Sequence, residues 1–395
     1  MPLPAPFLNE TGLQQLFTAV EERGGEARAV GGAVRDYLLG IKGGDVDLAC
    51  TLPPETVMHI AEAKGWKAIP TGLAHGTVTV VLPERTVEIT TLRRDVKTDG
   101  RHAEVAYTDR FEEDAARRDF TMNALYMDFR GVISDFFGGE DDLHKRHVRF
   151  IGNAGDRIRE DGLRILRFFR FQATHGQPPA DEQALRACAS QHKMLERLSG
   201  ERIQQEMKKL LSAADPSYAL AQMAMMAMGE MLTSQPWHVP MLQQLLQKET
   251  QQKVPGHAWV RLLSMVKPEQ RMSMAAHVCT RWRLSRADTQ WLEFLTAPPS
   301  LENAPQVKEA LRHYKREWVE QALLLLSLEN PDLPLGSLLA TARMFEPPAF
   351  PVNARDLMVY GIPEGPEIGA KLRELEQQWI ASEYRLKKGD LLGLI

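Results

Sequence analysis

Residues 30–50 read VGGAVRDYLLGIKGGDVDLAC. An apolar lead-in runs into a Gly31-Gly32 turn and a short amphipathic run (Val34, Leu38, Leu39). A second glycine pair then precedes Asp45-Val46-Asp47-Leu48. Alternate side chains of a strand share a face. Asp45 and Asp47 therefore project together, their Cα atoms roughly 6.6 Å apart at about 3.3 Å per residue, while Val46 and Leu48 enter a core. Two carboxylates at that spacing suit two divalent ions about 3.5–4 Å apart, the arrangement used for in-line displacement at phosphorus. A lone Asp-X-Asp is more often a solvated turn. What precedes this one points to phosphate: glycines let backbone N–H groups close on a polyphosphate, and Arg35 stands one helical turn later.

Working outward, Leu13, Leu16, Phe17 and Val20 recur at helical spacing over 10–24, with Thr11 as a plausible N-cap. A strand is expected over 27–32, a helix over 33–40, the carboxylate strand over 46–51, and a helix over 55–64 opened by Pro53-Pro54. TVTVVL (77–82) and TVEITTL (86–92) read as the arms of a hairpin. Glu88, in the second arm, either faces solvent on an edge strand or stands as a third acid beside the Asp pair. RRDVKTDGRH (93–102) is too polar to bury itself and is expected to be a mobile surface loop.

EEDAARRDFTMNALYM (112–127) has the pattern of a helix. Glu113/Arg117 and Asp114/Arg118 are i,i+4 pairs, Asp119 and Asn123 share a face, and Phe120, Ala124 and Met127 form an apolar stripe. Arginine binds phosphate bidentately and aspartate accepts from a ribose 2′-OH, so Arg118 and Asp119 are candidates for a nucleotide site. From Asp156, DRIREDGLRILRFFRFQATHG is expected to continue as helix, with Ile158, Ile165, Phe168 and Phe169 on its apolar side. Asp161, Arg164, Arg167 and Arg170 recur every third residue and form a slowly winding polar ridge. From residue 181 onward only helical patterns follow. The methionines at 223, 225, 226, 228 and 231 read as core filler, and His238, His257 and His277 stand alone. Gly365-Pro366 opens a last helix with Ile368, Leu372, Leu375 and Trp379 on one stripe.

Composition narrows the class of protein. With 395 residues, two or more packed units are expected. Three scattered cysteines carry no disulfide framework or metal-ligand spacing, which fits a reducing cytoplasm. No signal peptide is expected, and no apolar run reaches the roughly 18 residues of a membrane helix. The net charge of −4 argues against a generic nucleic-acid coat. Its distribution is uneven: residues 1–150 hold 18 Lys and Arg against 24 Asp and Glu, a balance of −6, which leaves +2 for the remainder. An acidic first part suits metal carboxylates and a mildly basic second part suits an RNA backbone, although solvated faces of either sign fit as well.

GGAVRD followed by DVDLA, then RRDFTMNAL, SDFFGGEDDL and EDGLRILRFFRF, resembles the polymerase-beta-like nucleotidyltransferase superfamily. Within it, the resemblance is to the class II branch of CCA-adding tRNA nucleotidyltransferases and bacterial poly(A) polymerases. It is dense in motifs over residues 28–175, weaker beyond, and recognisable again over 353–380. It implies an α+β fold with a small mixed-sheet head (1–150), then an all-helical neck (151–215), body (216–345) and tail (346–395). The implied reaction is attack of a tRNA 3′-hydroxyl on CTP or ATP with release of pyrophosphate. Asp45 and Asp47 would be both catalytic and Mg²⁺-binding, and Gly32, Arg35 and Arg118 would hold the triphosphate. Asp119 would contact the sugar, and the polar 93–102 run would be the flexible loop that favours full CCA addition.

The neck ridge would read the base. Cytosine and adenine both present an NH₂ donor beside a ring-nitrogen acceptor, and uracil and guanine present the reverse. An acceptor from Asp161 and a donor from Arg164 would match the first pair and clash with the second. Each buried mismatch costs about 1–3 kcal/mol, so two supply roughly 10²–10⁴-fold rejection. By resemblance, Arg167 and Arg170 would hold phosphates or orient the ridge. The rivals are a poly(A) polymerase on the same fold and an RNA-binding module without catalysis. Sequence leaves the oligomeric state open.

Overall fold

The computed structural model describes residues 5–41, 43–99 and 102–395, with the backbone alone for those of 95–105. The chain divides into two compact units. One runs through Pro236 and includes Arg281–Arg283; the other comprises Trp237–Thr280 and Leu284–Ile395.

The first unit begins with helix α1 (Thr11–Glu22), strand β1 (Ala27–Val30), α2 (Gly32–Leu38), β2 (Val46–Cys50) and α3 (Pro54–Ala63). Strands β3 (Lys67–Gly72), β4 (Thr77–Val81) and β5 (Thr86–Thr91) follow, then β6 (Arg93–Asp99), β7 (His102–Tyr107) and α4 (Phe111–Ala116). Short strands β8 (Leu125–Met127) and β9 (Ile133–Asp135) and helix α5 (Gly139–His144) complete the head. Seven strands form one sheet in the order β3-β4-β5-β2-β1-β8-β9, mixed because β2 and β5 run parallel. The alternation expected of residues 45–48 holds: Val46 and Leu48 are buried, and Asp45 and Asp47 are exposed. One face of the sheet closes on Val30, Ala49, Leu92, Phe111, Ala115, Ala124, Tyr126 and Ile151.

Three segments differ in secondary structure from the sequence reading, and the N-cap of α1 is Glu10, not Thr11. Within the 93–102 run, residues 93–99 form no loop but strand β6, which pairs antiparallel with β7 as a two-stranded ribbon; residues 100 and 101 lie outside the described residues. The 112–127 helix stops at Ala116, and the chain continues as a 3₁₀ turn (Thr121–Asn123) and β8. Asp119 causes part of this break: its Oδ1 accepts from the next amide, Phe120 N, at 2.9 Å, a local bond that competes with helical pairing. The helix expected from Asp156 is broken in two, α6 (Ala154–Glu160) and α7 (Leu163–Thr174). Asp161 is extended there, and its Oδ1 accepts from Leu163 N at 3.1 Å. Gly162 is required at the break, since a Cβ would stand 2.9 Å from the Cβ of Met194.

Helices α8 (Glu182–Gln191), α9 (Gly200–Leu211), α10 (Ser217–Met225) and α11 (Met228–Thr233) complete this unit. Aromatic packing locks α7 to the head. Phe120 lies 4.6 Å from Phe150 and 5.4 Å from Phe171, and Phe150 stacks on Phe168 at 5.8 Å. Burying a phenylalanine stabilises by about 1.5–3 kcal/mol, so this cluster holds the arginine face of α7 in register with residues 117–119. Of the methionine run, Met223 and Met228 fill the core while Met225 is exposed.

The second unit is helical: α12 (Val239–Gln252), α13 (Ala258–Ser264), α14 (Pro268–Arg281), α15 (Arg286–Thr296), α16 (Ala304–His313), α17 (Arg316–Glu329), α18 (Leu335–Met344), α19 (Ala354–Val359), α20 (Pro366–Ala381) and α21 (Lys388–Leu392). Ile368, Leu375 and Trp379 form the expected stripe of α20 in a small core with Val352, Leu357, Leu391 and Leu392, and Leu372 packs against it. No helix among the described residues is long and apolar enough to cross a membrane.

Candidate active site

The acidic strand is the centre of the site. In the parallel pairing of β2 with β5, Asp47 lies opposite Glu88, and both are exposed on the same face. Of the two readings of Glu88, the register therefore favours a third acid beside the pair. Although the residue is exposed as a whole, partial desolvation of the Asp47 carboxyl raises it above its ordinary value, and the neighbouring charges of Glu88 and Asp45 raise it further, against a smaller opposing pull from Arg118. Crowded carboxylates of this kind are hard oxygen donors that a cation would relieve. Among the described residues no group of three or more His, Cys, Asp or Glu side chains is placed to hold a metal ion, so Glu88 stands beside Asp47 without completing a ligand set.

Next to the acids, Gly31 has φ 67°, a left-handed conformation that suits glycine, and α2 starts at Gly32. A Cβ on Gly31 would stand 3.6 Å from Nη1 of Arg118. Arg118 therefore reaches the glycine turn, and its charge is felt at Asp47. Arg35 is more occupied than its sequence position suggests. It donates to Asn123 Oδ1 at 2.8 Å and to Asp36 at 2.9 Å, and its guanidinium lies 5.3 Å from the Phe171 ring centroid.

Arg117, Arg118 and Asp119 form the hub of the site. The Arg117 carbonyl accepts from Arg164 Nη2 at 3.2 Å, Arg118 points to the glycine turn, and Asp119 Oδ2 accepts from Arg167 Nε at 2.5 Å. Asn123 Nδ2 donates to Asp119 Oδ1 at 3.1 Å, so the expected Asp119/Asn123 partnership survives although the helix does not. Burial pushes the Asp119 carboxyl up, but Arg167, Asn123 and Arg164 together hold it below the usual carboxylate range.

The ridge itself is paired. Asp161 takes Arg202 in a two-bond clasp, Oδ2 at 2.6 Å and Oδ1 at 3.2 Å. Arg164 donates to Glu160 and to the Arg157 carbonyl at 2.9 Å. Arg170 lies 2.6 Å from Glu206 and covers the Phe171 ring at 3.9 Å, while Arg167 lies 3.8 Å from the same carboxylate. Glu160, Arg202 and Glu206 were not singled out by the sequence reading. Glu160 adjoins Asp161 in the same motif, but Arg202 and Glu206 come from α9, about forty residues on, and no local pattern announces them.

Two family models match the chain: a poly A polymerase head domain over residues 27–149, and a probable RNA and SrmB-binding site of polymerase A over 180–230. The mitochondrial CCA tRNA nucleotidyltransferase 1 of Mus musculus is 34% identical over 97% of this chain and 89% of its own length. The chain belongs to the CCA tRNA nucleotidyltransferase family. The Oceanobacillus iheyensis CCA-adding enzyme is 39% identical over 58% of this chain and 55% of its own. Among solved structures, the Bacillus stearothermophilus CCA-adding enzyme in complex with CTP matches with a TM-score of 0.75 at 26% identity, covering 98% of this chain and 97% of that one. The Thermotoga maritima CCA-adding enzyme complexed with tRNA shares the fold at a TM-score of 0.66 and 23% identity, over 95% and 92% of the two chains. In this nucleotidyltransferase, then, the glycine turn, the acidic strand, the 117–119 hub and the arginine ridge of α7 all lie in the first unit.

Proposed function

We propose that this enzyme adds C, C and A in turn to the 3′ end of tRNA from CTP and ATP, without a nucleic-acid template. The observation that carries the reading is the 117–119 hub, three consecutive residues that touch the base-reading ridge on one side and the glycine turn beside Asp47 on the other. One nucleotide spanning such a hub has its phosphates at the acids and its base at the ridge.

Asp45 and Asp47 are the residues that would hold Mg²⁺, which when bound supplies charge neutralisation at the transferring phosphate and a more acidic 3′-hydroxyl. Arg118 and the Gly32 amide orient the triphosphate, with Arg35 bracing the same turn. Asp119 is an acceptor for the ribose. Bonds among the described residues engage three of the roughly four lone-pair positions of Asp161, which leaves acceptor capacity for an exocyclic NH₂. Arg164 likewise keeps N–H groups beyond those given to Glu160, Arg157 and Arg117. Carbonyl-bearing uracil or guanine would face Asp161 with like polarity. We assign the chemistry to a head of residues 1–150, base selection to a neck of 151–215, and tRNA holding to a body of 216–345 and a tail of 346–395.

The test is a time course on tRNA lacking its 3′ end, with CTP and ATP supplied separately and together. The expected outcome is two additions with CTP alone and three with both. Long tails from ATP alone would indicate a poly(A) polymerase, and no incorporation would indicate an RNA-binding module.

A further inference from the structure

Arg118 is held on two of its three donor edges, and the group that holds it also holds something else. Asp114, with 1% of its side chain exposed, sits on α4 and divides its two oxygens between two directions. Oδ2 accepts from Tyr126 O–H at 2.7 Å and from Arg118 through Nε at 3.3 Å and Nη2 at 3.1 Å. Oδ1 accepts from Arg117 Nε at 2.8 Å and from the backbone N–H of Arg93, the first residue of β6, at 3.4 Å. Arg117 Nε reaches the Arg93 carbonyl as well, at 3.1 Å. One carboxylate thus joins the root of the β6–β7 ribbon to the arginine beside the glycine turn.

The geometry aims the remaining edge. With Nε and Nη2 engaged, Nη1 is the group left near Gly31, on the wall that leads to Asp47. Arg118 Nε also donates to Tyr126 Oη at 3.1 Å. The Tyr126 ring is fully buried, with Phe111 edge-on at 5.4 Å, so its hydroxyl is a fixed reference point. Burial disfavours charge on Asp114, but Arg118, Arg117 and Tyr126 keep it ionised below the usual carboxylate range. Neutralising buried arginine charge would not by itself require the second oxygen to meet the backbone of the ribbon.

We infer that Asp114 is a positioning residue that couples the root of the β6–β7 ribbon to the triphosphate grip of Arg118. The inference rests on the proposed role of Arg118. Movement of the ribbon root is then transmitted to the nucleotide site through Oδ1 and Oδ2 of one side chain, and a nucleotide gripped by Arg118 tightens the root in return, as linkage requires.

The experiment uses the full chain as wild type, D114N, Y126F, R118K and D114N/R118K. It measures CTP addition to tRNA lacking its 3′ end, inhibition by inorganic tripolyphosphate, thermal melting, and hydrogen exchange of the β6 and β7 amides with and without CTP. D114N and Y126F are expected to raise the KM for CTP and the tripolyphosphate inhibition constant about tenfold, with the tRNA KM within about twofold. D114N is expected to add little in the R118K background. CTP is expected to slow exchange of the ribbon amides in wild type but not in D114N. Unchanged tripolyphosphate inhibition in both single variants overturns the inference, as does a full additional loss from D114N on top of R118K. Should D114N melt too low to assay, Y126F, which keeps the ring and removes only the hydroxyl, decides by the same criteria. Tripolyphosphate inhibition untouched by R118K would instead overturn the role of Arg118 itself, which CTP incorporation by the wild type tests separately.

Discussion

The acidic strand and the arginine ridge handle charge in opposite ways. Asp45, just before β2, and Asp47, on it, stand exposed with Glu88 in register beside Asp47, and Arg118 offsets only part of their mutual repulsion. On the ridge every charge is answered within the first unit: Asp161 by Arg202, Arg164 by Glu160, Arg167 by Asp119 and Arg170 by Glu206. The strand is under-compensated and calls for cations from outside. Each charge of the ridge has an ion-pair partner that restrains it before any base arrives, and a fixed direction is what selection by hydrogen bonds needs. On the proposed roles of the two regions, chemistry and specificity are separated by how much charge each leaves unpaired.

The most drastic way to break the contrast is to remove the acids. Asp45→Ala and Asp47→Ala should each lower kcat for CTP addition by about 10³-fold or more, because transferring phosphate charge would lose its neutralisation. Single-turnover assays at saturating CTP check this, and substantial residual addition would count against the metal role. A smaller effect is expected at the ridge. Arg164→Ala should leave CTP addition measurable but reduce discrimination against UTP by about 10²-fold, since one charged donor of the base-reading pair is gone. Unchanged selectivity, read from competing CTP and UTP incorporation, would remove Arg164 from base selection.

How far the sequence revealed these two regions depends on the range of the interactions involved. The acidic strand was legible because its signal is local: alternation puts Val46 and Leu48 inside and Asp45 and Asp47 outside without reference to any other segment. The 77–92 hairpin was legible for the same reason. The ridge was legible in its residues but not in its shape. Asp161-Gly162 is a turn dipeptide, and helical periodicity on both sides concealed it. The 112–127 segment misled in a similar way, since Phe120, Ala124 and Met127 are all buried but through a 3₁₀ turn and a strand. Strands β8 and β9, three residues each, are too short to carry a period. The polar 93–107 run gave no apolar alternation because β6 and β7 pair with each other and not with the main sheet.

The partners of the ridge, which no local pattern revealed, supply the next and weaker prediction. Arg202→Met keeps an unbranched apolar stem but removes both bonds to Asp161, leaving that carboxylate oriented by Leu163 N alone among the described residues. Selectivity for CTP over UTP is expected to fall about tenfold, less than for Arg164→Ala, because the reading group remains and only its orientation loosens. The KM for CTP should rise with little change in kcat. A loss of kcat at constant selectivity would show that Arg202 serves the fold alone.

The finest effect is one of stability, and it tests whether the strand is under-compensated at all. The folded Asp47 carboxyl lies above its ordinary value of 3.8, with burial as the largest cause and then the charge of Glu88. A raised folded pKa means that the native chain binds more protons than the unfolded chain across the window between the two values. Stability therefore falls as pH rises through that window and stays lower at neutral pH. Asn at this position cannot ionise, so Asp47→Asn should melt about 1–2 °C higher than wild type at pH 7 without divalent cation, a difference that closes as pH drops to the ordinary carboxylate value. Added Mg²⁺ should raise the melting temperature of the wild type more than that of the variant, since it relieves a repulsion that the variant no longer has. If Asp47→Asn melts lower than wild type at pH 7, the carboxylate is being stabilised by its surroundings, and the charge contrast between strand and ridge does not hold.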